Sequence, residues 1–226
     1  MPEVLMSFPR RREPRKNKNI RTVIGILKRK FPGKGAVELG RPEDVILATV
    51  LSARTRDEQV LKVYPKLRKR FPTLAALKKA PVSRIASAIN EIGLYRAKAK
   101  SVKGIATALI DTYDGKVPST MEELMALPGV GRKTANCVLC YAFKKPAIAV
   151  DTHVHRVTNR LGWVRANDPL KTELALTRLI PKDLWLHVNR VFVQFGRTVC
   201  IPGRPRCWKC PVFRLCRFPR KTLTPP

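Results

Sequence analysis

The chain has 226 residues, of which 46 are Lys or Arg and 16 are Asp or Glu, so its formal net charge is +30. A surplus of this size attracts polyanions, which makes DNA, RNA or an anionic membrane surface the candidate partners. The mixed-charge ion-pair networks of a thermophile surface would explain the many basic residues less well, because acidic residues are scarce. This excess of basic over acidic residues favours nucleic acid as the partner. No apolar run reaches the roughly 18 residues that would predict a membrane span.

Residues 1–19 are basic, polar and interrupted by proline, and we expect a flexible tail that either has no role or adds phosphate contacts. The tail has no apolar stretch after its basic cluster, which argues against a secretory signal. We therefore expect an intracellular protein, in the cytoplasm or nucleoid, or in the nucleus of a eukaryote. In such a reducing compartment the six cysteines are expected to be metal ligands or buried thiols.

From residue 20 onward, apolar residues recur at helical spacing and no alternating strand pattern is present, which predicts an all-α fold. Ser119 and Glu122 have the spacing of a capping box, the reciprocal hydrogen-bond motif that opens a helix. Helices in the second half of the chain are predicted at residues 120–126, 134–143, 152–162, 169–180 and 184–198.

A glycine-rich turn lies between two of these helices, with the sequence Leu-Pro-Gly-Val-Gly-Arg-Lys-Thr-Ala at 127–135. Gly129 and Gly131 permit backbone conformations that other residues avoid, and they leave the amide groups open to an anion. A helix that begins near Arg132 adds unsatisfied N–H donors and the positive end of its dipole. With Val130 packed inward, the turn is predicted to bind phosphate, although an ordinary αα-hairpin would show the same pattern.

Lys133 and Asp151 are 18 positions apart, and each lies at the expected start of a helix. The positive helix end and neighbouring Arg132 disfavour the charged form of Lys133, and a neutral amine there could attack a sugar C1′ and form an imine. Asp151 could equally be an N-cap residue, worth about 1 kcal/mol. Lys133 could equally contact a phosphate, and helical periodicity does not decide between these interpretations.

Four cysteines fall within 17 residues of one another, in a segment rich in Pro, Gly and Arg that suits a compact metal centre. Four thiolates can hold either zinc or an iron–sulfur cluster. A typical zinc site pairs two Cys-x2-Cys units, whereas this segment contains one, so the 6-2-5 spacing favours a [4Fe–4S] cluster. The predicted ligands are Cys200, Cys207, Cys210 and Cys216.

Two arginines and two further cysteines lie near these motifs. Arg204 and Arg206 are in the first ligand loop, from which they would direct cationic side chains at a phosphate. Cys137 and Cys140 are three positions apart on the helix after the glycine turn, among apolar neighbours. Free cysteines in such a place behave as small hydrophobic residues, so we predict that both are part of the core.

The glycine turn at 127–136, the Val-Asp-Thr-His sequence at 150–153 and the cysteine loop together resemble the endonuclease III family of helix-hairpin-helix DNA glycosylases. The three motifs occur in that family's order and at its spacing. The similarity runs from about residue 20 to residue 217, nearly the whole chain.

The resemblance implies two all-α lobes. A six-helix barrel lobe would span 36–146, and residues 20–35 with 147–226 would form the lobe that holds the [4Fe–4S] cluster. DNA would cross the cleft between them, where Lys133 matches the family's Schiff-base lysine and Asp151 its essential aspartate.

Further DNA contacts follow from the same resemblance. Leu94 matches the family's wedge residue, which fills the space that a flipped nucleotide leaves. Arg54 stands where the bacterial pattern often has Gln, which leaves the opposite-base preference open, because an arginine could stack there or donate to guanine. His153 could line the pocket or serve as a structural hydrogen bonder. The other predicted DNA contacts are Gly129, Val130, Gly131, Arg132, Thr134, Arg204 and Arg206.

The resemblance implies a monomeric base-excision-repair enzyme that removes oxidised pyrimidines from damaged double-stranded DNA. It would then cleave 3′ of the abasic site by β-elimination through a lysine imine, with Asp151 stabilising the cationic sugar and assisting deprotonation of Lys133.

Two alternatives stay open: a monofunctional mismatch-type or adenine glycosylase, and a cluster-bearing DNA-binding protein without enzymatic activity. Monofunctional members carry another residue in place of Lys133, and the adenine-specific branch has an additional C-terminal domain, whereas this chain stops ten residues after Cys216. The presence of both Lys133 and Asp151 disfavours the non-enzymatic alternative.

Overall fold

Apolar residues at helical spacing produce helices throughout the part of the chain that the structure describes. The protein is represented by a computed structural model that describes residues 19–32 and 39–225, and within these ranges no strand is present. The basic tail predicted at 1–19 lies outside the described residues apart from Asn19. The helices are α1 (Ile20–Lys30), α2 (Pro42–Leu51), α3 (Asp57–Arg70), α4 (Leu74–Lys79), α5 (Val82–Ala88), α6 (Tyr95–Tyr113), α7 (Met121–Ala126), α8 (Arg132–Tyr141), α9 (Thr152–Arg160), α10 (Pro169–Leu179) and α11 (Trp185–Thr198).

The all-α prediction is confirmed, and the helix boundaries differ from the predicted ones by at most two residues. The capping box is displaced by one position, so its assignment to Ser119 and Glu122 is wrong. Thr120 is the N-cap of α7, and its Oγ1 accepts from the Glu123 amide at 3.3 Å and donates to Glu123 Oε2 at 2.6 Å. Ser119 instead accepts two hydrogen bonds from Lys145 Nζ. Both registers satisfy the motif, and only the position of the helix start distinguishes them.

The buried apolar side chains form two separate clusters. One lies among α2 to α8, and the other lies among α1, α9, α10 and α11. Each cluster removes its helices' apolar stripes from water, which is the main driving force for folding. The division agrees with the predicted two-lobed architecture, while the residue boundaries of the lobes stay predictions. No helix in the described ranges combines the length and apolar character that a membrane span needs.

The segment 147–150 passes between the two clusters. Its four side chains alternate, with the first and third buried in the α2–α8 cluster and the second and fourth in the other. A polar contact reinforces this junction, because Tyr141 donates to Asn189 Oδ1 at 2.7 Å and Asn189 Nδ2 donates to the Ala149 carbonyl at 2.8 Å. The start of α9, which follows this segment, is thereby held against both halves of the molecule.

Candidate active site

The glycine turn joins α7 to α8 and packs against α6. Gly129 has a left-handed backbone with φ +76°, and a Cβ atom there would lie 2.3 Å from Ser101 Oγ, so only glycine fits. Gly131 has φ −93° and ψ 175°, which any residue can adopt, so the prediction of a special conformation is wrong there. It is the N-cap of α8, a position that normally has extended backbone. Val130 is buried, as predicted.

We expect Gly129→Ala to lower the free energy of unfolding by about 2 kcal/mol, because alanine is strained in the left-handed region and its methyl group would displace Ser101. Gly131→Ala is the matched control, since no atom lies within 4 Å of a Cβ built there. It should lower the free energy of unfolding by no more than about 1 kcal/mol, the cost of a poorer N-cap residue. Urea denaturation of both variants tests this, and equal losses would show that the turn does not depend on the Gly129 conformation.

The first turn of α8 is tied to α10 by a buried carboxylate. Arg132 Nε donates to Glu173 Oε1 at 2.9 Å, and Asn136 Nδ2 donates to Glu173 Oε2 at 2.9 Å. Glu173 is only 6% exposed, so its charge requires these partners. Lys133 is the second residue of α8, lies between the two tethered residues and is partly buried. Glu173, which no local sequence pattern indicates, pairs with Arg132 directly beside Lys133 in the chain.

The two other predicted DNA contacts on this helix start differ in accessibility. Thr134 has a side chain that is buried in the protein, so its backbone N–H, rather than its hydroxyl, is the group that could face an anion. The side chain of Arg132 is engaged with Glu173 but remains 42% exposed. The first N–H groups of a helix lack carbonyl partners within the helix, so the end of α8 retains its capacity to bind an anion.

Asp151 is the N-cap of α9. Its Oδ1 accepts hydrogen bonds from the backbone amides of His153 and Val154, both at 2.9 Å. The capping interpretation is therefore correct, and it is compatible with a catalytic role, because these bonds orient the carboxylate. The second oxygen, Oδ2, takes part in neither bond.

Helix α10 brings the starts of α8 and α9 together. His155, on the first turns of α9, is 2.7 Å from Thr172 Oγ1 through its Nδ1 atom. The next residue, Glu173, binds the first turn of α8. Two consecutive residues of one helix thus join the helix start that carries Lys133 to the helix start that carries Asp151.

His153 packs against α11 rather than standing free in the solvent. Its Nδ1 lies 3.1 Å from Arg156 Nη2, and a Cβ atom on Gly196 would come within 2.9 Å of the same nitrogen. Burial lowers the pKa of His153, and nearby Arg156 and Arg197 lower it further, while Asp151 opposes them. A neutral ring can accept from Arg156, whereas an imidazolium would face a second cation.

We expect stability to fall as the pH drops below the ordinary histidine value of 6.5, because the pKa of His153 is lowered in the folded state. In that window the unfolded chain binds more protons than the folded chain, so unfolding is favoured, and the loss levels off below the folded pKa. Thermal unfolding midpoints of wild type and His153→Gln between pH 5 and 8 measure the effect. The variant should show the shallower pH dependence, and parallel curves would exclude His153 as the cause.

Arg54 and Leu94 are both exposed and both adopt left-handed backbone conformations, with φ 53° and 59°. Leu94 is the N-cap of α6 and is 58% exposed, which is unusual for a large apolar side chain. Non-glycine residues held in this region store strain of about 1–3 kcal/mol and are concentrated at functional sites.

All four predicted ligand cysteines line one cavity, next to apolar residues of α9 and α11. Burial raises the pKa of three of their thiols, that of Cys210 to about 12, so without a bound metal they would be protonated at neutral pH. In the described residues, no three His, Cys, Asp or Glu side chains are grouped closely enough to hold a single metal ion. The other two cysteines are core residues as predicted, and burial raises the pKa of Cys140 to about 12.

Two arginines of α9, absent from the predicted site, hold the cysteine loop. Arg156 Nε donates to the Cys200 carbonyl at 3.1 Å, and Arg160 Nη1 donates to the Ile201 carbonyl at 2.7 Å. Their spacing of four positions on the helix that begins after Asp151 places both on one face, and this pattern could have indicated them from the sequence. The predicted phosphate contacts Arg204 and Arg206 are exposed on this loop, and Arg206 also donates to the Thr198 carbonyl.

Residues 47–182 match the sequence model of a protein family described as "HhH-GPD superfamily base excision DNA repair protein". The chain belongs to the HhH-GPD superfamily. It is 49% identical over 180 residues to an endonuclease III of Thermotoga maritima, an alignment that covers 80% of this chain and 84% of that protein.

Solved structures to which this chain is similar agree with this assignment. One is a trapped endonuclease III–DNA covalent intermediate in an estranged-adenine complex, with TM-score 0.83 and 40% identity over 89% of this chain and 95% of that one. Another is a thermostable thymine-DNA glycosylase, with TM-score 0.78 and 32% identity over 90% of this chain and 96% of that one.

This HhH-GPD protein is therefore a DNA glycosylase of base excision repair, and it binds DNA. The predicted family, fold class and enzyme class are confirmed. The roles assigned to individual site residues stay predictions.

Proposed function

We propose that this HhH-GPD protein is a bifunctional glycosylase and abasic-site lyase that acts on oxidised pyrimidines in damaged duplex DNA. The observation that carries the proposal is the junction at α10, which joins the helix starts of Lys133 and Asp151. The trapped covalent DNA intermediate of a relative that is 40% identical supports a covalent step. All these residues come from one chain, so a monomer is sufficient.

In the proposed mechanism the damaged nucleotide is flipped out of the stack, at a cost of a few kcal/mol. Asp151, oriented by the amides of α9, stabilises positive charge on the sugar as the bond from C1′ to the base breaks. The neutral amine of Lys133 then bonds to C1′. The C1′–O4′ bond breaks as the nitrogen loses a proton and O4′ gains one, so the opened sugar carries a protonated imine that acidifies the C2′ hydrogen. When a base removes that proton, its electron pair forms the C2′–C3′ double bond, and the C3′–O bond breaks with the phosphate as the leaving group.

The DNA would be positioned by the glycine turn and by two exposed tips of the protein surface, Arg54 and Leu94, which have left-handed backbone conformations. No atom lies within 4 Å of a Cβ built on Gly131, so the backbone at the start of α8 is sterically accessible, which suits a phosphate. Leu94 would enter the base stack, and Arg54 would face the orphaned base, as their exposure permits. These contacts combine backbone positioning with the deformation that base flipping requires.

We propose that the cysteine cavity holds a [4Fe–4S] cluster through Cys200, Cys207, Cys210 and Cys216. The four thiols line one cavity, which suits a cluster in which each iron takes one thiolate. A typical zinc site pairs two Cys-x2-Cys units, whereas this loop contains one. Bound there, the cluster would cross-link the loop that carries Arg204 and Arg206, and no step of base removal requires it.

The cluster assignment predicts a yellow-brown protein with about four iron atoms per chain. Cys210→Ser should lose most of the iron and the broad visible absorption, because one ligand is removed. Cys137→Ala is the matched control, since Cys137 is buried outside the cavity, and it should keep both. Metal analysis and absorption spectra provide the measurement, and a colourless wild-type protein with one zinc would contradict the assignment.

The similarity to a thymine-DNA glycosylase favours one alternative, a monofunctional mismatch glycosylase. Borohydride trapping on a panel of oxidised pyrimidines and mismatched thymines, each opposite all four bases, separates the two functions. The proposed function predicts a covalent adduct and strand cleavage with oxidised pyrimidines. Release of the base without adduct or cleavage would support the alternative, and binding without base release would overturn both.

A further inference from the structure

The two exposed tips, Arg54 and Leu94, belong to separate segments that one lysine connects. Lys98 lies in the first turn of α6, and its backbone N–H donates to the Leu94 carbonyl at 3.0 Å. Its ammonium group donates to Oγ1 of Thr55, the residue that follows Arg54. Lys98 therefore contacts the backbone of Leu94 and the side chain of Thr55, which is the neighbour of Arg54.

The environment of Lys98 is costly for a cation. It is 5% exposed and is the one lysine that is buried in residues 19–32 and 39–225. Burial lowers its pKa, and its ammonium group donates a hydrogen bond to the neutral hydroxyl of Thr55. Among the side chains that the structure describes, the other buried charged ones are Asp44 and Glu173, and each pairs with an arginine. A buried ammonium bonded to a neutral hydroxyl lowers stability, so packing alone does not account for it.

We propose that Lys98 is a positioning residue that holds Arg54 at a fixed distance from Leu94, so that both tips enter the gap in the DNA together. The proposal rests on the proposed function, in which a flipped nucleotide leaves that gap. The Lys98–Thr55 hydrogen bond spans 43 positions of sequence and is the link between the tips. Fixing the tips before binding reduces the entropy lost when they are inserted.

This role separates damage recognition from general DNA affinity. The positive surface binds any duplex, whereas correctly spaced tips stabilise only a duplex with an unstacked position. Weakening the link should therefore lower affinity for a gap-containing duplex and leave affinity for undamaged duplex unchanged. It should also reduce discrimination between opposite bases, because Arg54 would no longer be held against the orphaned base.

The test uses the full-length protein and a duplex that contains a non-cleavable tetrahydrofuran abasic analogue, compared with an undamaged duplex of the same sequence. Thr55→Val removes the hydroxyl at nearly constant volume, Thr55→Ser retains it, and Lys98→Met removes the ammonium. Lys103→Met is the matched control, because Lys103 lies on the same helix and donates to the Ala80 carbonyl at 2.6 Å, away from the tips. Thermal unfolding of each variant shows that it is folded.

We expect Thr55→Val and Lys98→Met each to weaken binding to the abasic analogue by about tenfold, with undamaged-duplex affinity within about twofold of wild type. The double variant Thr55→Val/Lys98→Met should bind the analogue no more weakly than the weaker-binding single variant, because both substitutions remove the same hydrogen bond. Thr55→Ser and Lys103→Met should bind like wild type.

Wild-type affinity of Thr55→Val for the analogue, or equal losses on both duplexes, would overturn the positioning role while leaving the proposed function intact. If wild type itself does not prefer the analogue to undamaged duplex, the proposed function fails and this inference fails with it. The two failures are thus distinguished by the behaviour of the wild-type protein.

Discussion

Replacing Lys133 with glutamine is expected to abolish strand cleavage at abasic sites, with a loss of at least about 10³-fold, while DNA affinity changes little. Glutamine fits the start of α8 and can still donate to a phosphate, but it cannot form an imine. Lys171→Gln is a matched control, because it also removes one positive charge, from an exposed side chain on α10. Gel assays of cleavage and binding on the same abasic duplex give both quantities.

The outcome for Lys133 separates a nucleophile from a phosphate contact. If Lys133→Gln lowers affinity and cleavage by the same modest factor as Lys171→Gln, then Lys133 contributes only charge. The bifunctional mechanism would be wrong in that case, although the protein would remain a glycosylase. A selective loss of cleavage is the signature of an interaction made in the reaction rather than in binding.

Asp151→Asn is expected to slow base excision by about 10²- to 10⁴-fold, with DNA affinity within about threefold of wild type. Asparagine is as good an N-cap as aspartate, so it can still accept from the His153 and Val154 amides and preserve α9. What it lacks is the negative charge that stabilises the sugar cation. Single-turnover excision rates with saturating protein measure the effect.

A second N-cap aspartate provides the control for Asp151. Asp168 caps α10 in the same way, accepting from the Lys171 amide at 2.8 Å. Asp168→Asn should leave excision unchanged. If both variants retain wild-type rates, Asp151 serves only as a cap, and the capping interpretation of the sequence is sufficient.

Local sequence patterns predicted the features that depend on neighbouring residues. Helical periodicity and the scarcity of strand patterns were enough for the all-α fold, and the burial of Val130 followed from the turn. The grouping of four cysteines around one cavity was predictable because they lie within one short loop. The position of the capping box was less accurate, because Ser119 with Glu122 and Thr120 with Glu123 have the same spacing and both fit the motif.

Contacts between distant segments were not predictable in the same way. Glu173 is 41 positions from Arg132, and Thr55 is 43 positions from Lys98, so neither pair has a local pattern. Both pairs depend on how helices pack, which a single sequence does not encode in its spacing. The special conformation expected of Gly131 was wrong for a related reason, because the helix start, rather than the glycine, determines its backbone.

The most direct test of the account is to locate the covalent bond. Wild-type protein is reacted with an oxidised-pyrimidine duplex, reduced with borohydride and digested, and the peptide that carries the sugar remnant is sequenced by mass spectrometry. The account predicts a single modified residue, Lys133. A remnant on another lysine or on the terminal amine, with Lys133 unmodified, would contradict it.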